Sequence, residues 1–281
     1  MTRRDFCGSS LALAAMGMVP SVTVASDGGK RWYKGMLHCH CYWSDGRAFP
    51  EQGAKAYRDR GYHFYCMSDH NRLGKDTARW RDVCEDEGPW PKNGKLLYGI
   101  ASDDAHWYPD SGTPQNPFPF ADGYIQVRAE ELTPEALVAA MDRGDFYASC
   151  GVDLEDVRAD PERGRLTVSV PAKDGVAYTI RFVGTRRDFD ADVRGTVRFA
   201  GNPAQSLGVR DYPLYSDGIG AVFRSVSGRP GERVEATYAL GADELYVRAV
   251  VESSEPVTGY AKTSHQHPRH RMAWTQPLRQ A

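Results

Sequence analysis

The sequence lacks an excess of charge of either sign, and it lacks a hydrophobic run long enough to cross a membrane. Its 281 residues carry 35 Lys and Arg against 37 Asp and Glu, for a net charge of −2. These charges are interleaved, so they offer no basic stripe for a phosphate backbone, and nucleic acid is not an expected partner. The apolar stretch at residues 11–19 is well short of the roughly 20 residues that a spanning helix needs. The sequence therefore predicts a globular chain with no membrane span.

Cysteine is scarce, and no CxxC pair is present. Once the first 25 residues are set aside, an odd number of cysteines remains, which cannot all pair within one chain: Cys39, Cys41, Cys66, Cys84 and Cys150. Neither a disulfide framework nor a zinc ribbon is indicated. No repeat of fixed period is visible either, which argues against solenoids and propellers.

Residues 1–25 have the form of an export signal. Arg3 and Arg4 precede the apolar stretch, and small residues ending at Ala25 are typical of a cleavage site. We interpret the segment as a twin-arginine (Tat) signal peptide, which predicts a periplasmic or extracellular protein. A membrane anchor is the alternative, disfavoured by the shortness of the apolar stretch.

Two regions with different patterns follow the signal. From residue 31 to 151, short apolar strands alternate with helical stretches such as "FPEQGAKAYRDRGYH" and "TPEALVAAMDRGDFYAS", the latter with Thr133 as N-cap and Pro134 at its first position. Apolar runs such as "YHFYCMSDH" suit strands that are covered on both faces, as in a parallel sheet. From residue 152 to 281, short alternating strands separated by Gly, Pro and Asp turns predict an all-β domain, β-sandwich-like in character.

The stretch "GMLHCHCYWSDG" raises the question of a metal site. On a strand, His38 and His40 share one side, whereas Cys39 and Cys41 share the other and are expected to pack as small apolar groups. Two further strands end in "SDHN" (residues 68–71) and "SDDAH" (residues 102–106). Carboxylate and imidazole donors at three strand ends describe a site for zinc, manganese or iron.

These motifs resemble the PHP family of metal-dependent phosphoesterases, named for polymerase-associated and histidinol-phosphatase domains. The resemblance covers residues 34–152 through "LHCHCYWSDG", "YCMSDHN" and "GIASDDAHWY". It implies hydrolysis of a small-molecule phosphate ester by metal-activated water. It also implies a set of metal ligands by position: His38, His40, Asp45, His70, Asp104 and His106. By the same resemblance Asp69 either orients His70 or is itself a metal ligand. The predicted catalytic residues are Asp69, Asp104 and His106.

The sequence departs from the family between its second and last motifs. Family members carry a glutamate and further histidines there, but residues 72–103 contain no histidine. Because each β/α unit needs about 30 residues, the whole region of residues 31–151 has room for about four units and cannot close a barrel. We therefore expect an α/β fold, a partial, distorted PHP-type barrel or an open sheet, followed by a small all-β domain. With fewer ligands we expect one or two divalent ions.

Basic side chains near the motifs are candidates for holding a phosphate. Arg47, Arg72 and Lys75 all lie just past motif residues, although ordinary surface charge explains each of them as well. A second histidine cluster, His265, His267 and His270, surrounds Pro268 in a polar stretch and is interpreted as an exposed hairpin rather than a metal site.

Two other functions stay open at this level. An amidohydrolase-like enzyme also begins with His-x-His on its first strand, but the early "SDHN" and the Asp-x-His ending disfavour it. A non-catalytic binding or structural protein with a vestigial metal site is favoured by the missing ligand segment. A homodimer that completes the truncated site is a further hypothesis.

Overall fold

A computed structural model describes most of the chain after the predicted signal. The described residues are 29–42, 44–70, 97–108, 122–190, 195–199, 210–214, 218–257 and 270–280, and for 195–199 and 210–214 only the strand paths are described. In these ranges no helix combines the length and apolarity that crossing a bilayer requires. The predicted signal peptide, residues 1–25, lies outside the described residues.

The first region contains four strands and two helices among its described residues. The strands are β1 (Arg31–Met36), β2 (Phe64–Tyr65), β3 (Tyr124–Ala129) and β4 (Phe146–Ser149), and the helices are α1 (Pro50–Arg58) and α2 (Pro134–Asp142). Helix α2 begins as predicted: Pro134 lies in its first turn, and the Thr133 hydroxyl accepts a hydrogen bond from the N–H of Ala136 at 3.3 Å.

The second region contains strands, and no helix in its described part. They are β5 (Asp156–Asp160), β6 (Arg165–Val170), β7 (Tyr178–Arg186), β8 (Gly195–Phe199), β9 (Arg210–Leu214), β10 (Ile219–Ser227), β11 (Val234–Ala239), β12 (Glu244–Pro256) and β13 (His270–Thr275). The described part of residues 152–281 is thus built from strands, as the alternating apolar residues predicted. Buried and partly buried side chains alternate along most of β7, as expected for a strand with one better covered face.

One large mixed sheet joins the two regions. It has eight strands in the order β10-β7-β12-β13-β4-β3-β1-β2. The pair β1 and β2 is parallel, with Gly35 opposite Phe64, and the other described pairs of this sheet are antiparallel. A three-stranded sheet, β11-β6-β5, and a two-stranded ribbon, β8-β9, complete the described strands.

Three apolar clusters hold these layers together. The first lies between the large sheet and the three-stranded sheet and includes Ile180, Phe182 and Leu166. The second packs α1 against the end of β1 through Tyr57 and Met36. The third packs α2 against β3 and β4 and includes Leu137, Ala140, Ile125, Val127 and Phe146. Burial of this apolar surface is the main force that stabilises the fold.

The predicted fold class is wrong. The described part of the chain is mostly β, with thirteen strands and two helices, and no closed barrel forms within it. A partial PHP-type barrel would require repeated parallel strands joined by helices. In the large sheet only β1 and β2 are parallel among the described pairs. On its other side β1 pairs with the antiparallel strand β3, and α2 connects β3 to β4, which is antiparallel to it.

The error has a physical cause in the apolar runs. A run such as "YHFYCMSDH" predicts burial, but burial on both faces is possible in mixed sheets as well as parallel ones. Here that run forms only the two-residue strand β2. The stretch "TPEALVAAMDRGDFYAS" is helical as far as Asp142, because Gly144 adopts a positive φ of 77°, and its last residues form β4.

The predicted domain boundary near Val152 falls between β4 and β5. Strand β13 from the second region pairs with β4 from the first, with Trp274 opposite Ala148. Division into separate domains at residues 31–151 and 152–281 stays a prediction.

Candidate metal centre

The predicted ligands come together just beyond the end of β1. His38 and His40 follow that strand, and the segment carrying Asp104 and His106 runs beside them. The two segments are joined by a parallel bridge between Cys39 and Ala105 and by a hydrogen bond from the N–H of His40 to the carbonyl of Ala105 at 2.8 Å. A third segment joins them through the N–H of Ser68, which donates to the Cys39 carbonyl at 2.9 Å. The candidate site is thus built from three chain segments.

His38, His40 and Asp104 form one group of potential ligands, called the first group below. The Asp104 Oδ1 atom lies 3.0 Å from Nε2 of His38 and 2.9 Å from Nε2 of His40. The two Nε2 atoms lie 3.4 Å apart. Two imidazole nitrogens and a carboxylate oxygen at these separations are a suitable donor set for a divalent transition metal.

His40, Asp45, His70 and His106 form the second group. The Asp45 Oδ2 atom lies 3.3 Å from Nε2 of His106 and 3.5 Å from Nε2 of His70. The ligand atoms of each group lie within 4.8 Å of one another. Both groups consist of imidazole and carboxylate donors, so their chemistry fits zinc, manganese or iron and contains no thiolate.

His40 belongs to both groups and is fully buried. Its ring stacks on His106 and His70, with ring centroids 4.2 Å and 4.5 Å away. Burial, helped by the neighbouring His106, lowers the pKa of His40, so this imidazole is held in the neutral form that binds metal. A neutral imidazole presents one nitrogen lone pair, so an ion in the second group relies on Asp45, His70 and His106 when His40 serves the first.

The backbone at Asp104 is strained. Its φ is +52°, and among the described residues it is the one non-glycine with a positive φ. This left-handed conformation is uncommon for a residue with a side chain, and such outliers cluster at functional sites. Here it accompanies a carboxylate that contacts both His38 and His40.

The adjacent Asp103 has a different role. Its Oδ1 atom accepts hydrogen bonds from the backbone N–H groups of Asp122 and Gly123, at 3.0 Å and 2.7 Å. It therefore fastens the start of β3 to the segment that carries Asp104, and it belongs to neither ligand group. Of the two adjacent aspartates, Asp104 is therefore the one that contacts His38 and His40.

A tight turn places Asp45 beside the histidines. The N–H groups of Ser44 and Gly46 both donate to the Cys41 carbonyl, at 3.1 Å and 3.0 Å. A Cβ atom at Gly46 would lie 2.5 Å from the backbone of His40 and Cys41, so this close approach requires glycine. A small loss of hydration opposes ionisation of Asp45, but the hydrogen bond from Ser44 and the neighbouring imidazoles of His106 and His70 outweigh it and lower its pKa.

The other predicted site residues lie in different positions. Asp69 is in neither ligand group among the described residues, and its carboxylate instead accepts hydrogen bonds from Cys41 and Ser44. Arg47 is exposed, and its backbone N–H donates to the His106 carbonyl at 2.7 Å, which places it next to the second group. Arg72 and Lys75 lie outside the described residues.

Residues that sequence reasoning missed support the ligands. Ser68 contacts Nδ1 of His38 at 2.7 Å, and Ser44 lies between Asp45 and Asp69. Cys39 packs in the apolar cluster around α1, as expected, but the buried Cys41 thiol donates a hydrogen bond to Asp69 at 2.7 Å. The serines of "SDHN" and "SDG" were the available signal, since hydroxyls beside ligand residues commonly orient them.

The second histidine cluster is only partly described. His270 begins β13, and its Nδ1 lies 3.0 Å from a carboxylate oxygen of Glu252 on β12. His265 and His267 lie outside the described residues. A cavity of about 580 Å³ near Trp32, Arg128 and Leu278 lies at the opposite end of β1 and contains none of the predicted ligands.

Comparison with known proteins adds a weak likeness. A solved two-domain protein from Bacteroides vulgatus, described as containing a "predicted PHP-like metal-dependent phosphoesterase", aligns with 94% of this chain and 100% of its own, at 13% identity and a TM-score of 0.33. No family model matches the sequence, and no curated protein matches it. A likeness this weak carries no argument about function.

Proposed function

We propose that this protein is a metal-dependent phosphoesterase that hydrolyses a small-molecule phosphate ester. The observation that carries the proposal is the convergence of six histidine and aspartate side chains, from three chain segments, into two adjacent groups. These are the residues that resemble the ligands of PHP phosphoesterases in sequence. Zinc, manganese or iron, as one or two ions, is the proposed cofactor.

The residues of the two groups would hold the metal through imidazole nitrogens and carboxylate oxygens. A divalent ion there supplies two effects: it lowers the pKa of water toward neutrality, and it offsets negative charge on phosphoryl oxygens. The chain fixes the histidine tautomers for this task. Nδ1 of His106 lies 2.7 Å from the Asp104 carbonyl, to which it donates, so its Nε2 lone pair is directed toward Asp45.

Hydrolysis assays on a generic ester test the proposal. Protein stripped with a chelator is assayed on p-nitrophenyl phosphate with added zinc, manganese or ferrous iron. We expect turnover only with metal and none from His40→Ala, which removes the ligand shared by both groups. Metal binding without turnover would instead support a non-catalytic protein with a vestigial site, the alternative favoured by the missing ligands in residues 72–103.

Arg47 is the proposed phosphate-binding residue among the described ones. A guanidinium binds phosphate oxygens through paired hydrogen bonds. The backbone N–H of Arg47 donates a hydrogen bond to the carbonyl of the ligand His106, so this arginine lies next to the site. Arg47→Ala should raise the KM for the ester by about tenfold with little change in kcat. Arg58→Ala, which removes an exposed arginine on α1, is the control and should leave KM unchanged.

Export and assembly are part of the proposal. The twin arginines at residues 3 and 4 are proposed to direct the chain to the periplasm or the exterior. Replacing both by lysine should retain a fused reporter in the cytoplasm. A reporter exported equally well by both sequences would contradict a Tat signal.

A homodimer is proposed because the segment between the motifs is short. Sedimentation of the metal-loaded protein should show twice the mass of one chain. A monomer that retains full hydrolytic activity would contradict the idea that a second chain completes the site.

A further inference from the structure

The segment Ser68–Asp69–His70 contacts both ligand groups, and each of its three side chains contacts a different part of the site. Ser68 contacts His38 of the first group. Asp69 contacts the turn that carries Asp45 of the second group. His70 is itself a member of the second group. Three consecutive residues therefore contact the site in three separate ways.

The Asp69 carboxylate is fully engaged with the turn. Its Oδ1 atom accepts from the Cys41 N–H at 2.8 Å and from the Ser44 hydroxyl at 2.5 Å, while its Oδ2 atom accepts from the Cys41 thiol at 2.7 Å. Both oxygens are used by protein donors, which leaves Asp69 poorly placed to bind an ion. Because Cys41 and Ser44 flank the turn, these contacts fix the position of Asp45.

The Ser68 hydroxyl fixes His38 in a comparable way. It lies 2.7 Å from Nδ1 of His38, 3.2 Å from the Cys39 N–H and 3.3 Å from the Cys39 carbonyl. When Nδ1–H donates to this oxygen, the Nε2 lone pair is left free on the side of Asp104. With its own O–H directed to the Cys39 carbonyl, Ser68 accepts from Nδ1 of His38 and so fixes the orientation of a first-group ligand.

We propose that Ser68 and Asp69 are positioning residues for two different metal positions. Ser68 sets the affinity of an ion held by the first group, and Asp69, through Cys41 and Ser44, sets the affinity of an ion held by the second group. Neither residue binds metal. This inference rests on the proposed function, since it requires that both groups bind ions, and it replaces the catalytic role first predicted for Asp69.

The two metal positions are separated by zinc titration of the chelator-stripped full chain against a chromophoric chelator. Asp104→Ala removes a ligand of the first group only, and Asp45→Ala removes one of the second group only. The titration step that each abolishes is thereby assigned to one group. Stepwise dissociation constants are then measured for Ser68→Ala and Asp69→Asn.

Asp69→Asn should raise the zinc dissociation constant of the second group by about 10- to 100-fold and change that of the first group by less than about threefold. Ser68→Ala should raise the constant of the first group by about 10- to 100-fold and change that of the second by less than about threefold. Cys41→Ala should behave as a milder Asp69→Asn, and Cys41→Ser, which keeps a donor, should restore the second step. Asp59→Asn on the exposed end of α1 and Ser227→Ala on β10 are the controls, and both should match the wild type.

The outcomes distinguish this inference from the proposed function. Wild-type protein that binds no zinc overturns the proposed function together with the inference. Wild-type protein that binds two ions while both variants weaken both steps equally, or neither step, overturns the positioning roles alone. Thermal unfolding of the metal-free variants identifies one that fails to fold. The pair Cys41→Ala and Cys41→Ser then decides the role of Asp69, since loss of binding in both would contradict it.

Discussion

The two ends of the large sheet are held together by different interactions. Around β7 and β12, long antiparallel pairing and a continuous apolar cluster fix each strand. At the metal centre the ligands lie on segments with little regular structure, and hydrogen bonds such as those of Asp69 and Ser68 fix them. Apolar burial, together with strand pairing, therefore accounts for stability in one part of the molecule. Individual polar contacts account for ligand geometry in the other.

Removal of His40 should have the largest effect at the metal centre. The side chain is fully buried and belongs to both ligand groups, so His40→Ala should weaken zinc binding by more than about 100-fold. His270→Ala is the matched control, because that histidine lies on β13 and pairs with Glu252. Competition with a chromophoric chelator measures both. An equal loss of zinc affinity in His40→Ala and His270→Ala would contradict the view that the metal centre and the strand-rich part are independent.

A mutation that creates a cavity in the strand-rich part should lower stability and leave zinc binding unchanged. Phe182 is fully buried and stacks on Tyr238 with ring centroids 5.3 Å apart. Phe182→Ala should lower the free energy of unfolding by about 3–5 kcal/mol in urea denaturation. Zinc affinity of the folded variant should stay within about twofold. Phe189→Ala, at an exposed position, should change stability little.

A methyl group at Gly46 should disturb the turn without a large loss of stability. Its Cβ would lie 2.5 Å from the backbone of His40, so the turn must shift and carry Asp45 with it. We expect zinc binding at the second group to weaken by about tenfold. Gly99→Ala is the control, since a Cβ there meets no atom within 4 Å. Unchanged zinc binding in Gly46→Ala would show that the turn does not set ligand geometry.

The smallest effect concerns Glu252 on β12. Partial burial opposes its ionisation, but its ion pair with Arg181 and its contact with His270 outweigh burial and lower its pKa below the usual 4.5. Because the folded-state pKa is the lower one, the stabilisation is complete above about pH 5 and is lost as pH falls through that lowered pKa.

Glu252→Gln should therefore cost about 0.5–1 kcal/mol at pH 7 and less at pH 3, as measured by urea unfolding at each pH. Zinc affinity at pH 7 should not change. The exposed Glu130→Gln is the control. A cost that grows as the pH falls would contradict the ion-pair explanation.

The sequence predicts local features of the site better than it predicts the fold. His38 and His40 share a side because alternation is a property of any extended chain, whatever the sheet around it. The parallel α/β arrangement was wrong because apolar runs report burial and not strand direction, and β3 in fact lies antiparallel to β1. The contacts of Cys41 and Ser68 depend on tertiary structure, so spacing alone did not reveal them.

Anomalous diffraction from zinc-soaked crystals tests the central claim most directly. The account predicts one or two peaks at the zinc edge, each about 2.0–2.2 Å from ligand atoms of the two groups. The ligands at these peaks should come from His38, His40, Asp45, His70, Asp104 and His106. Fully zinc-soaked crystals with no peak among these side chains, or with peaks only elsewhere, would contradict it.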